Sequence, residues 1–208
     1  MKTKLLIIFF TLIIFTNMRA QISQFRSVPA RNRIKYAEDF YKLYKMKMHY
    51  NTDNLLANIH WLQLALYAKF DHPIRAMALI RKRQEHVKYK RLFKMRFNFL
   101  IMKSYLMLGR RYDKKNIYYF NKRYKKELLT GFNIARIYYK RAMHYWERTV
   151  KWAKSAWKLK HYHLIGSEVD KMQNQMFKIV NNNIWINHKP VIDRLLKKLK
   201  EKEKILNS

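Results

Sequence analysis

Chemistry in this chain would have to start from its histidines and acids. His161 and His163 stand two apart in "HYH". On an extended backbone they share a side, but on a helix they diverge by about 200°. No acid or third histidine stands at ligand spacing from them, so a surface pair fits better than a metal site. Thirteen Asp and Glu are scattered among forty-six Lys and Arg, whereas paired-carboxylate catalysis needs two acids held together. Asp53 and Asp71 fall where helix caps belong. Glu85, Glu127 and Glu147 fall where helix ion pairs belong, Glu147 with Lys151 at i,i+4. There is no nucleophile elbow, no glycine-rich phosphate loop and no HExxH. The absence of cysteine removes disulfides, thiolate catalysis, zinc–thiolate sites and a lipidated-cysteine anchor. The residues indicate a protein that is not an enzyme, with no catalytic residue, cofactor or metal, although a site assembled from distant positions would be silent at this level.

Binding chemistry is better represented. The stretch 110–124, "RRYDKKNIYYFNKRY", sets Tyr112, Tyr118, Tyr119, Phe120 and Tyr124 beside Arg110, Arg111, Lys114, Lys115, Lys122 and Arg123. Aromatic faces suit stacking on sugars, bases or other rings, and the cations pair with phosphates or carboxylates. A loop that covers the core with its rings would read the same way. The formal charge of +33 is large enough to repel itself, so an anionic partner is physically expected. AT-biased codon usage also enriches Lys, Ile, Asn, Phe and Tyr together. That origin would not remove the field, only its purpose.

The N-terminus narrows the choice of partner. "MKTK" is a basic start, Leu5–Phe15 is an apolar run of eleven residues, and polar "TNMRAQ" follows. The run is short for a spanning helix, which needs roughly 17–25 residues. It fits an export signal over residues 1–20, cleaved after Ala20. Met18 and Arg19 suit cleavage poorly, which leaves an uncleaved inner-membrane anchor as the alternative. In either case the remainder lies outside the cytoplasm, in the periplasm or beyond. Removing Lys2, Lys4 and Arg19 from +33 still leaves +30. The expected partner is then an acidic protein, or cell wall or an anionic membrane surface. Nucleic acid becomes the leading partner only if the N-terminus is not an export signal.

Elements must position these side chains. Hydrophobic residues make up 49%, enough for a core. Gly and Pro occur three times each, which favours long helices over turn-rich sheets. After a linker at 21–30, a first helix spans 31–50 with Ile34, Phe40, Leu43 and Tyr44 on its apolar side. A second, apolar almost all round, is capped at Asn51 or Thr52 and runs to Phe70. Asp71 or His72 caps the next, with Pro73 in its first turn. That helix continues through Leu108, with a break near 84–88, and ends at a left-handed Gly109. Residues 110–124 read as an irregular loop, and 127–160 as one long helix or two collinear ones. Ser167 and Asp170 form a capping box for a helix to Val180. A last helix starts at Pro190, with Val191, Leu195 and Leu199 on one face and a frayed tail "KKLKEKEKILNS".

The helix at 127–160 carries an unusual wheel. A row of small residues, Ala135, Ala142, Thr149 and Ala156, follows Leu128 at period seven. It is walled on one side by Phe132, Tyr139 and Trp146, and on the other by Tyr138, Tyr145 and Trp152. Adding Leu129, Met143, Val150 and Trp157 widens the apolar arc to about 160°. Lys140, Glu147 and Lys154, Arg141 and Arg148, and Lys151 and Lys158 occupy the opposite rows. Such a groove seats a neighbouring helix closely. The neighbour can be internal, or a partner can occupy an open groove. A membrane-surface helix would place bulky residues, not Ala and Thr, at the centre of its apolar face.

Tyr105, Leu108, Gly109 and Tyr112 in "YLMLGRRY" reproduce the first-helix spacing of the tetratricopeptide repeat, and Trp61, Leu64 and Ala65 match its beginning, with Ala68 in place of the expected Tyr. The chain thus resembles a degenerate tetratricopeptide-repeat protein over about a third of its length. The small residue of the repeat's second helix would fall on Asn121 in one copy and Met77 in the other, and no clean 34-residue period survives. The resemblance implies stacked helix hairpins that present a groove to peptides or proteins. In overall character the chain is also similar to spirochaetal periplasmic proteins, some of which build the flagellar-motor collar; its "AQ" ending equally suits a Bacteroidetes export signal.

The expectation is an all-α protein of antiparallel helix hairpins, either a bundle or a short solenoid. Residues 31–188 form the helical domain and 189–208 a basic C-terminal helix and tail. Its function is that of a non-catalytic envelope scaffold or adaptor. The alternative is a cationic module for peptidoglycan, anionic lipid or polymer. Partner contacts fall on Tyr112, Tyr118, Tyr119, Phe120, Lys122, Arg123, Tyr124, Tyr138, Tyr139, Tyr145, Trp146 and Trp152.

Overall fold

With so few helix-breaking residues, the chain can close its backbone hydrogen bonds locally over long runs, and the computed structural model is all-α. It describes residues 34–46, 52–113 and 124–207. The stretches expected to form an export signal and a linker, and residues 114–123 of the aromatic stretch, lie outside these residues. Six helices follow in order: α1 (Ala37–Met46), α2 (Thr52–Tyr67), α3 (Arg83–Tyr112), α4 (Lys125–Trp157), α5 (Ser167–Val180) and α6 (Lys189–Asn207). Among the described residues there is no strand, only isolated bridges at Tyr36–Lys69 and Leu79–Ile165.

The centre of the fold is the antiparallel pair α3–α4, the longest helices and the most extensive contact. As α3 advances, its partners on α4 recede. The Arg91 guanidinium donates to the Ser155 carbonyl at 2.7 Å. Lys94 lies over the Trp152 ring, Tyr105 stacks on Tyr145, and Tyr112 meets Tyr138. α2 lies antiparallel on α3, with Phe70 against Tyr89 and Phe93 at one end and Arg111 donating to the Thr52 hydroxyl at the other. α1 packs on α2 through Phe40 and Trp61, and sends the buried Tyr41 onto Phe93 and Phe97 of α3. α5 packs on both α4 and α3, and α6 packs on α4.

Several boundaries differ from the sequence reading. α1 begins at Ala37 rather than 31, because Tyr36 is held extended and the Ala37 N–H donates to the Lys69 carbonyl. Its dominant core residue is Tyr41, with Phe40 and Tyr44 half-buried beside it. α2 stops at Tyr67, not Phe70, and is not buried all round: Leu56, Leu64 and Tyr67 are exposed. His72 does act as a cap, but of a single 3-10 turn at Pro73–Arg75. The break in the next helix is not at 84–88. The chain leaves the turn extended, Leu79 donates to the Ile165 carbonyl at 3.0 Å, and α3 begins only at Arg83. Glu85 is a cap rather than an ion-pair residue, its carboxylate accepting from the Arg81 and Lys82 N–H groups.

Ser167 and Asp170 form no capping box. Gly166 is the N-cap, at φ 157°, and its extended left-handed backbone lies against the Met77 carbonyl, where a Cβ would approach within 2.7 Å. The C-terminal tail is not frayed. α6 runs to Asn207, with Ile192, Leu199 and Leu206 buried at period seven. Those three are spaced like a helix seam, and the charges between them conceal it in the sequence.

Candidate functional site

The long helix α4 decides what this protein can present to a partner. Ala135, Ala142, Thr149 and Ala156 are fully buried, so the small-residue row is the floor of an internal contact. The two aromatic walls serve different neighbours. Tyr138, Tyr145 and Trp152 are half-buried against α3, and the Tyr145 hydroxyl also accepts from Gln63 of α2 at 2.9 Å. Tyr139 is fully buried against α3, while Trp146 turns toward the start of α6, where His188 stands edge-on between Trp146 and Phe99. The groove is filled by the protein itself.

Gly109 explains how closely. It does not terminate α3, which continues to Tyr112. A Cβ built at Gly109 would lie 2.6 Å from Cδ1 of Tyr139 and closer still to the adjoining ring carbon. The glycine leaves room for the Tyr139 ring directly against the helix backbone. The Tyr139 hydroxyl then donates to Oδ2 of Asp113 at 2.9 Å. Asp113 is the C-cap of α3, its N–H donating to the Gly109 carbonyl. An acid at a helix C-terminus opposes the macrodipole, and Lys202 of α6 offsets it. The Lys202 ammonium bonds the Asp113 carboxylate closely and its carbonyl at 2.9 Å, while lying over the Phe132 ring. Beside it Glu203 pairs closely with Arg136. Lys202 was missed in sequence because it lies in a lysine run; its spacing of three from Leu199 and four from Leu206 was the available signal.

Other sequestered polar groups are braces. Lys88 is buried and donates to the Tyr162 carbonyl at 2.5 Å and to Gln173 Oε1 at 2.9 Å, tying α3 to α5 and the turn before it; burial lowers its pKa. Glu38 accepts from the Tyr89 hydroxyl and the Asp71 N–H; burial raises its pKa. His161 and His163 are exposed, with His163 4.0 Å from Asp170, and no group of three metal-ligating side chains occurs among the described residues.

Burial also holds Tyr41, Tyr44, Tyr89, Tyr105, Tyr138 and Tyr139 above the ordinary phenol pKa. Unfolded phenols release protons near pH 10 while the folded ones keep them, so this stabilisation is complete below about pH 10 and falls as pH rises. Lys88 and Lys103, both lowered by burial, act in the opposite sense. Urea titrations at stepped alkaline pH check the balance: above about pH 10 the loss of stability with pH should be shallower in Tyr139→Phe than in wild type.

Of the other expected contact residues, Tyr112 is half-buried at the end of α3 and Tyr124 is exposed as the N-cap of α4. Tyr118, Tyr119, Phe120, Lys122 and Arg123 lie outside the described residues. What α4 leaves to solvent is its basic side: Lys140, Arg141, Lys151, Lys154 and Lys158 are exposed, with Glu147 the acid among them. All but Lys158, the C-cap, ride on an uninterrupted helix of 33 residues, so their spacing is fixed.

Together these features define an all-α helix-hairpin protein whose aromatic seam is internal and whose outward chemistry is cationic. Residues 84–208 match the family described as "Domain of unknown function (DUF8513)", and the chain belongs to that family. The match opens with α3 and runs through α6, so it contains the α3–α4 pair and the Lys202 contact. Neither a curated protein nor a solved structure matches the chain.

Proposed function

We propose that this protein is an exported, non-catalytic scaffold or adaptor that docks an acidic protein within an envelope assembly, of which a periplasmic flagellar motor is one setting. The observation that carries the reading is the sorting of α4: its rings are spent on internal packing and its cations stand in solvent at fixed helical spacing. The antiparallel α3–α4 pair, with Tyr105, Leu108, Gly109 and Tyr112 facing inward, supports a tetratricopeptide-like hairpin. Met77, by contrast, lies in a bend between the 3-10 turn and the Leu79 bridge, so the Trp61 copy has no second helix there. With its groove filled, a partner would be held by the charged surface.

Pull-down from envelope fractions at low and high salt tests this. A single exposed ion pair contributes only about 0.2–1 kcal/mol, so one substitution should change little. Lys140→Glu, Lys151→Glu and Lys154→Glu combined should abolish capture of an acidic protein without changing thermal stability. Recovery of no protein partner at either salt would sink the adaptor reading. The second reading is a cationic module for peptidoglycan, anionic lipid or polymer, and it is favoured by the same closure of the groove. Salt-sensitive co-sedimentation with purified cell wall, lost in the same combined variant, would select it.

A further inference from the structure

The turn between α5 and α6 carries the two most exposed large apolar side chains among the described residues, Ile184 at 89% and Trp185 at 94%. Their exposure is built into the turn. The Asn181 N–H closes α5 onto the Phe177 carbonyl, and Asn182 takes a left-handed backbone at φ 49°. The Asn183 N–H donates to the Lys178 carbonyl, its own carbonyl accepts from Ile186 and Asn187, and its Oδ1 accepts from the Trp185 N–H at 3.0 Å. Below the tip, Ile186 packs on the core and His188 is wedged between Phe99 and Trp146 at 5.5 Å from each. The turn is therefore pinned at both ends and stiffened in the middle, and it holds an Ile and a Trp outward with no intramolecular cover.

The surroundings are cationic. No acid occurs from Lys171 to Ile192, and exposed Lys178 and Lys189 bracket the turn. Lys103 stands over the Phe99 ring that holds His188. A convex tip of two side chains is small for a protein interface, which buries about 1,200–2,000 Å². It matches a lipid surface better. Trp settles at headgroup depth, an aliphatic side chain reaches the acyl boundary, and nearby lysines meet anionic headgroups.

We propose that the Ile184–Trp185 turn inserts into the surface of an anionic bilayer, with Lys178 and Lys189 contacting its headgroups. This rests on the turn rather than on the basic side of α4, so it stands or falls apart from the function proposed above.

The test is sedimentation of the full chain with phosphatidylcholine vesicles, with and without phosphatidylglycerol at about a third of the lipid. The wild type should bind the anionic vesicles, and Trp185→Ser should weaken that binding tenfold or more. Lys178→Ala and Lys189→Ala should each weaken it about fivefold, in proportion to one juxtamembrane charge. All three altered side chains are exposed, so thermal unfolding should be unchanged and a folding defect can be read separately. Brominated lipid should quench wild-type emission more than that of Trp185→Ser. Equal vesicle affinity of wild type and Trp185→Ser would overturn the proposal, as would loss of a protein partner in Trp185→Ser with vesicle binding intact, because the turn would then be a protein contact.

Discussion

Gly109→Ala should destabilise this protein by about 2 kcal/mol, although the same exchange at an ordinary helix-interior site is stabilising. Ala exceeds Gly by about 1 kcal/mol in helix propensity, so the packing cost must exceed that before any loss is seen. Overpacking a well-filled contact costs about 1–3 kcal/mol. The upper end applies here because the Tyr139 ring, at 2.6 Å from the new methyl, cannot swing aside without releasing its hydrogen bond to Asp113. Chemical unfolding of the single and double variants checks the cause. In a Tyr139→Ala background, Gly109→Ala should become neutral or stabilising, because the ring it strikes is gone and only the propensity gain remains. A similar loss in both backgrounds would show that the glycine serves something other than the Tyr139 contact.

Lys202→Met should cost about 3 kcal/mol, the usual consequence of leaving one charge of a buried pair behind. For a domain of this size that is a fall in Tm on the order of 10 °C. The Met side chain keeps the apolar stem against Phe132, so the loss reports the ammonium. Asp113 has 7% of its side chain exposed and stands at the end of α3, where both burial and the helix dipole disfavour an unpaired carboxylate. Asp113→Asn combined with Lys202→Met should therefore recover much of the loss, since buried pairs replaced on both sides are often near neutral. Thermal unfolding of the singles and the double measures the coupling. The two variants also ask different questions of the architecture: Gly109→Ala perturbs how α3 and α4 meet, and Lys202→Met perturbs how α6 is tied to that pair.

Much of this arrangement is legible in the chain itself. The period-seven row Ala135, Ala142, Thr149 and Ala156, with rings on either side, identifies the inward face of α4, and all four are buried. The junction at Asp71–Pro73 is marked, although a single 3-10 turn follows it rather than the long helix, and α5 ends at Val180 with Asn181 as its cap. The failures are of one kind. Gly109 reads as a left-handed stop signal, yet it is helical and packed under a ring, while Gly166 is an N-cap at a φ that side chains rarely adopt. Ser167 and Asp170 satisfy the capping-box spacing, but the preceding glycine, packed against Met77 and Ala78, takes the cap position. Lys202 and Lys200 look alike among their neighbours, and only the former faces Asp113. Ile184 and Trp185 carry no pattern that sets their direction, and only the folded turn shows them held outward.

What the sequence determined alone was the helical class, the approximate limits of α4 and the separation of rings from charges on it. These follow from composition and periodicity, which act over one or two turns and need no distant partner. What only the tertiary structure decided was the occupant of the groove, the pairing of Asp113 with Lys202 and the outward set of the Ile184–Trp185 turn. Asp113 and Lys202 are separated by 89 residues, and a neighbour that far along the chain leaves no local signal. The groove walls themselves would be the same residues whether another protein's helix or this protein's own α3 lay between them.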